Sequence, residues 1–413
     1  MSSLSPKMLS RTVALYRNAY TGLSRSTWLL SVVMLVNRSG TMVIPFLTIY
    51  LTRPAMGYTI GQAGLVMGIF GFGAVCGGFL GGRLTDRWGF HKLQLAALCG
   101  GGILFIVLGQ MKSYPLICGT TFLLSLVNES FRPANSTAIA HYSKEENRTR
   151  SYSLNRLAIN LGWATGASLG GILASIDYHL LFWVDGLTNI LAALLLRIFL
   201  ASDPDQHGDV GKDRSGDQGE SFSSLSPYRD GKYLEFIVCT ILFALCFFQL
   251  FTILPLYYKK RLGIEEYWIG LLMGMNGVLI ALFEMVLVFS LEGRRANLFY
   301  ICIGVVLVGG SFLFLNILPS SVALAVFCML LVTIGEIMAM PFMNSFWISR
   351  TVAANRGQYA GLYTIAWSVA QVLGPTIGAQ IAGQWGFRAL WWTLGGVCLF
   401  AAAGFHWLKR RPG

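Results

Sequence analysis

Runs of about twenty apolar residues, separated by short polar intervals, recur from Trp28 to Trp407. Twelve runs can be delimited, at 28–51, 62–82, 93–111, 115–140, 151–175, 180–200, 233–257, 267–290, 297–317, 320–346, 357–382 and 386–408. As helices they match a hydrocarbon layer of ~30 Å. The pattern predicts an all-α polytopic membrane protein. One interval is different in kind: 201–232 is rich in Asp, Gly and Ser and has too little apolar surface to fold alone. It predicts a flexible cytoplasmic linker that divides the chain six and six. The expected organisation is a cytoplasmic segment (1–27), a six-helix bundle (28–200), the linker, a second six-helix bundle (233–408) and a basic tail (409–413).

The two sets of runs resemble each other. A shift of 208 residues places Pro133 on Pro341, Asn147 on Asn355, Arg148 on Arg356, Gly166 on Gly374 and Gly170 on Gly378. A shift of 206 places GLVMGIFG (64–71) on GLLMGMNG (270–277). Duplicated halves on a loose linker suit a machine whose halves rock about a site at the membrane midplane.

Composition supports the membrane reading. The chain is 54% hydrophobic and 12% charged, against about 25% charge in soluble domains. The net charge of +12 raises the question of nucleic acid. Its placement answers it: of 31 Lys and Arg, 22 fall on the side of the N-terminus, six on the other, and three (Arg38, Arg132, Arg156) within runs. That imbalance places both termini in the cytoplasm. It makes lipid headgroups the partner of the basic loops, with no nucleic acid. The first run is long and more follow, so an uncleaved first span is expected rather than a signal peptide. Eight Cys are scattered in apolar segments without a C-x-x-C, which predicts small buried residues and no metal site or disulfide framework.

Charges at bilayer depth are costly and generally face an interior cavity with a partner. Arg38 beside Asn37, Arg156, Asp185, Glu284 and Glu336 are such positions, as is NESFRPAN, with Asn128, Glu129 and Arg132; Gln249 is the internal amide of the seventh run. Glu129 and Arg132, three residues apart, share one helical face and suit a charge pair. Phe131, Phe247, Phe248, Phe251, Tyr257, Trp347, Tyr363 and Trp367 are candidates for an aromatic pocket.

Three stretches carry a family resemblance. GGRLTDRWGFHK (81–92) resembles the loop signature of the major facilitator superfamily through Gly82, Asp86, Arg87, Gly89 and Lys92. The resemblance implies a cytoplasmic gate loop. Gly162, Gly166 and Gly170 resemble the glycine-rich fifth helix of drug/proton antiporters, although Ala167 stands where that motif has proline and a Gly-Pro pair occurs instead at Gly374–Pro375. Such residues suit close packing or bending of helices. TIGEIMAMPFMNS (333–345) is similar to the tenth span of proton-driven multidrug exporters, which implies proton coupling at Glu336. Its repeat counterpart is Asn128, one residue before Glu129.

In that superfamily, spans one, four, seven and ten line a central cavity between two pseudo-symmetric six-helix bundles. The resemblance therefore implies twelve transmembrane helices, alternating access and proton-coupled export of small amphipathic organic compounds. Glu336, Glu129, Glu284 and Asp185 are the candidate proton carriers. Arg38, Arg132, Asn37, Asn128, Gln249 and Arg156 are the candidate substrate or charge-pair residues. A small-molecule substrate, protons and lipids are the expected partners of a monomer in a bacterial plasma (inner) membrane, with no cofactor and no enzymatic nucleophile. Two alternatives are uptake or facilitated passage of a small polar or anionic solute, using Arg38 and Arg132, and a membrane sensor or scaffold that transports nothing.

Overall fold

The computed structural model describes residues 22–143, 148–200, 227–291, 293–351 and 356–410. The expectations for 1–21, for 201–226 of the linker, for Asn147 and Asn355 and for residues 411–413 lie outside this set.

Among the described residues the chain is helical, without strands. The helices are α1 (Arg25–Ser39), α2 (Val43–Leu51), α3 (Ile60–Trp88), α4 (Phe90–Gln110), α5 (Tyr114–Glu129), α6 (Phe131–Tyr142), α7 (Arg148–Ile176) and α8 (His179–Phe199). After the linker come α9 (Gly231–Phe247), a 3-10 turn (Phe248–Phe251), α10 (Ile253–Lys260), α11 (Glu266–Leu291), α12 (Asn297–Ile317), α13 (Val322–Ser349), α14 (Arg356–Gln384) and α15 (Gly386–Arg410). Among the described residues ten stretches are long and apolar enough to cross a membrane. The two remaining runs are interrupted or more polar, at α5–α6 and α14. Large apolar side chains such as Phe79, Ile176, Ile198 and Phe400 face outward, while Asp185, Asn189, Thr240 and Ser311 are buried. A surface more apolar than parts of the interior is stable only in lipid. This is an integral membrane protein.

Three runs are broken, and each break precedes a proline at the third position of the next helix: Pro45 in α2, Pro133 in α6 and Pro255 in α10. Proline is tolerated in a first turn, where its missing N–H has no intrahelical partner, and is disruptive further in. The first break is also capped from outside. The backbone N–H groups of Met42 and Val43 donate to the Asp185 carboxylate at 2.8–3.0 Å.

The signature at 81–92 is not a loop, as the apolar pattern suggested. Helix α3 runs through Asp86 and Arg87 to Trp88, and α4 starts at Phe90. Gly89, at φ 81°, makes the connection alone, in a region that side-chain-bearing residues rarely adopt. All eight cysteines are free; Cys239, Cys246, Cys328 and Cys398 are buried, but Cys99 is exposed on the apolar exterior.

Helices before and after the linker meet along two crossings. On α3, Gly64, Gly68 and Gly71 abut Pro375, Val372 and Gln371 of α14; on α7, Gly171 abuts Gly270 of α11. A Cβ on any of these glycines would fall within 3 Å of the opposite helix. Small residues let the helix backbones approach this closely. Farther along α3, Gly78 and Gly82 face open space. The contact is thus concentrated at one end of the molecule.

Candidate functional site

A cavity of about 510 Å³ lies between the two sets of helices. Met34, Arg38, Thr41 and Ile44 contribute from the first run, Met67 and Phe70 from α3, Glu129 and Arg132 from the fourth run, and Trp163 from α7. Across it stand Phe248, Phe251 and Thr252, then Asn276 and Ile280 of α11, Glu336 of α13, and Gln371 and Pro375 of α14. The expected spans one, four, seven and ten all supply walls, but so do the helices that cross at the seal. Arg132 is 71% exposed while Glu129 is 10% exposed, so the cavity opens past Arg132, toward Tyr152 and the end of the molecule that carries Asp86 and Arg350.

The opposite end is sealed. Tyr178 donates its hydroxyl proton to Glu266 at 2.6 Å, and Lys259 pairs with the same carboxylate at 2.7 Å. Arg53 lies 4.4 Å over the Tyr178 ring. These four residues come from both sides of the linker, so they tie the two sets of helices together.

Within the cavity, Glu129 and Arg132 form the anticipated pair at 3.1 Å. Arg38 stands near both, yet its side chain makes no hydrogen bond or ion pair among the described residues, and its Nε is buried without a partner. Gly162 explains its position: a Cβ there would come within 2.6 Å of the Arg38 Cβ. Gly166 and Gly170 similarly abut Ser39 and Met42. The glycine-rich run of α7 thus lets the broken first run lie flush against it.

Glu336 faces the cavity from the other side. Asn276 donates its amide to Glu336 at 3.4 Å and to the Thr333 hydroxyl at 3.0 Å. No cation lies within ion-pair distance of Glu336 among the described residues. Asn276 is a neighbour that reading the sequence for charges passed over, although it sits in GLLMGMNG, opposite Phe70 in the repeat.

Other candidates lie off the cavity wall. Asp185 is buried as the cap of α2. Asn37 donates to Asn189 at 2.8 Å. Asn128 faces Gly101. Gln249 donates to the carbonyl of Gly374 at 2.7 Å and fills the space left by Gly378. Arg156 and Glu284 pair with each other across α7 and α11, with exposures of 51% and 14%. Asp86, Arg87 and Lys92 are exposed at the open end. Of the aromatic candidates, Phe248 and Phe251 reach the cavity. Trp163, not anticipated, meets Phe251 edge-on at 5.2 Å. Among the described residues no cluster of His, Cys, Asp and Glu is placed to hold a metal.

Residues 27–371 match the sequence profile of the Major Facilitator Superfamily. The chain belongs to this superfamily. It is 24% identical to a Na(+), Li(+), K(+)/H(+) antiporter of Planococcus maritimus over 90% of this chain and 93% of that protein. It is also 24% identical to the class D tetracycline resistance protein of Salmonella ordonez, over 78% of this chain and 80% of the relative. Among solved structures, the peptide transporter POT in complex with sulfate superposes with a TM-score of 0.77 at 18% identity, covering 94% of this chain and 95% of that one. The last likeness establishes the major facilitator fold. Membership makes the protein a transporter of the superfamily, with the cavity as its central feature.

Proposed function

We propose that this protein exports small amphipathic organic compounds in exchange for protons, by alternating access. The observation that carries the reading is Glu336: a carboxylate on the wall of a membrane-enclosed cavity, held by an amide, with no cation at ion-pair distance among the described residues. Such a group is suited to take up and release a proton as its surroundings change. The apolar walls around Trp163, Phe248 and Phe251 suit an amphipathic cargo. The names of the two relatives support proton exchange and an organic cargo, respectively.

The basic end is assigned to the cytoplasm of a bacterial plasma membrane, with both termini there. On that assignment the structure faces inward, sealed toward the outside by α2, α10 and the two glycine crossings. Asp86 makes no ion pair among the described residues, as fits a gate at 81–92 that is disengaged when the cavity opens inward. The 28–200 and 233–408 bundles are the bodies that move.

The test uses the purified protein in lipid vesicles with an imposed pH gradient and a panel of amphipathic compounds. Cargo and protons are expected to move in opposite directions, and Glu336→Gln should remove the dependence on the gradient. Flux that ignores the gradient in both proteins would refute the mechanism.

A further inference from the structure

Among the described residues four charged side chains line the cavity: Arg38, Glu129, Arg132 and Glu336. Glu129 pairs directly with Arg132 and also stands near Arg38. What remains without a direct partner is one guanidinium on the first run and one carboxylate on α13, on opposite sides of the linker in sequence. Neither has an ion-pair partner among the described residues. The buried, unpartnered Nε of Arg38 is the sharper signal, because a guanidinium donor without an acceptor in a low-dielectric site is costly. The cavity that both charges line also holds Trp163 against Phe251.

We infer that the cargo is an amphipathic zwitterion, whose anionic group docks on Arg38 and whose amine docks on Glu336. The inference rests on the exporter reading and adds the substrate class. An acid group supplies the acceptor that Arg38 lacks, in a charge-assisted hydrogen bond. An amine competes with the proton for the same carboxylate, which is the competition that exchange requires. A zwitterion adds no net charge to the cavity, so its passage avoids the penalty of carrying an unbalanced ion through the bilayer. Contacts from helices on both sides of the linker also give the bound cargo a hold on both moving bodies.

Three fluorescent probes separate the contributions. Nε-dansyl-lysine carries both charges, dansylcadaverine is the same molecule without the carboxylate, and dansylaminohexanoic acid is the same without the amine. Equilibrium binding is measured on the full chain in lipid nanodiscs, with empty nanodiscs subtracted and no gradient. Nε-dansyl-lysine is expected to bind tightest. Arg38→Gln should weaken dansyl-lysine and the acid by about tenfold or more and leave dansylcadaverine within about twofold. Glu336→Gln should weaken dansyl-lysine and dansylcadaverine and spare the acid. Arg38→Lys, which keeps the charge and loses the forked donor geometry, should fall between.

Equal losses for all three probes in folded Arg38→Gln would make Arg38 a packing residue and overturn the inference. So would unchanged dansyl-lysine binding, or no binding above empty nanodiscs. The exporter reading fails separately, in the gradient-driven flux. If Arg38 discriminates between the probes while flux ignores the gradient, the substrate class stands and proton exchange falls. The converse result removes only the substrate class.

Discussion

Gly171→Ala tests the sealed end directly. The new Cβ would lie 2.5 Å from the carbonyl oxygen of Glu266, 2.8 Å from Cα of Gly270 and 3.0 Å from its nitrogen. All three are backbone atoms, and none can rotate away as a side-chain tip can. Ordinary carbon contacts are about 3.5–4.0 Å, so α7 and α11 must separate at this crossing. Overpacking of this kind costs about 1–3 kcal/mol. The ratio of sealed to open protein should therefore fall by about five- to 150-fold, provided the crossing parts in the alternative state. The assay is pulsed electron paramagnetic resonance between spin labels at Asp177 and Glu265, both exposed beside the seal, in a background without native cysteines. The long-distance population should grow. Tyr178→Phe, which removes the 2.6 Å hydrogen bond to Glu266, should act in the same direction by about 0.5–1.5 kcal/mol. The two effects should not simply add, because Gly171 packs against Glu266 itself. An unchanged distance distribution in folded Gly171→Ala would refute the reasoning.

Two further outcomes concern residues placed away from the cavity. Asp185→Ala strands the N–H groups of Met42 and Val43 and should cost about 2–4 kcal/mol of stability, read as a lower unfolding temperature. Proton coupling per cargo should be unaltered, since Asp185 lies off the cavity. Arg156→Gln leaves the largely buried Glu284 unpaired and should cost about 1–3 kcal/mol, less than a deep ion pair because Arg156 is half exposed. Adding Glu284→Gln should recover most of the loss in the same thermal measurement.

The run lengths and their spacing made the helices legible, because a membrane dictates how many consecutive apolar residues a crossing needs. The observed bounds lie mostly within three residues of those runs. Two larger differences have local causes. Helix α3 continues to Trp88 because Gly89 alone can make the turn. The first, fourth and seventh runs break because proline occupies the third position of the helix that follows, and apolar counting does not register a proline's place in a helix.

At the site, rarity of charge in a long apolar run led to Arg38, Glu129, Arg132 and Glu336, which line the cavity. It also led to Asp185, and through Arg38 to its neighbour Asn37; both lie off the cavity wall, because their partners (the N–H groups of Met42 and Val43, and Asn189) lie in other elements and satisfy them. Asn276 and Trp163 were passed over because neither adjoins a charged residue and neither lies on one of the four runs expected to line the cavity. The sealing residues Tyr178 and Glu266 sit near span ends, where polar groups are ordinary, and only the fold brings them together.

The breaks beside Gly40 and at 248–252 have a mechanical consequence. A continuous rod carries a tilt from one end to the other, whereas a broken one confines it. Helices α2 and α10, of nine and eight residues, are each about 12–14 Å long and hang from their own hinges at the closed end. The barrier at the sealed end is therefore divisible. Each short helix is a flap whose displacement costs only the surface that it covers, so the seal can loosen in stages while the body of each half keeps its place.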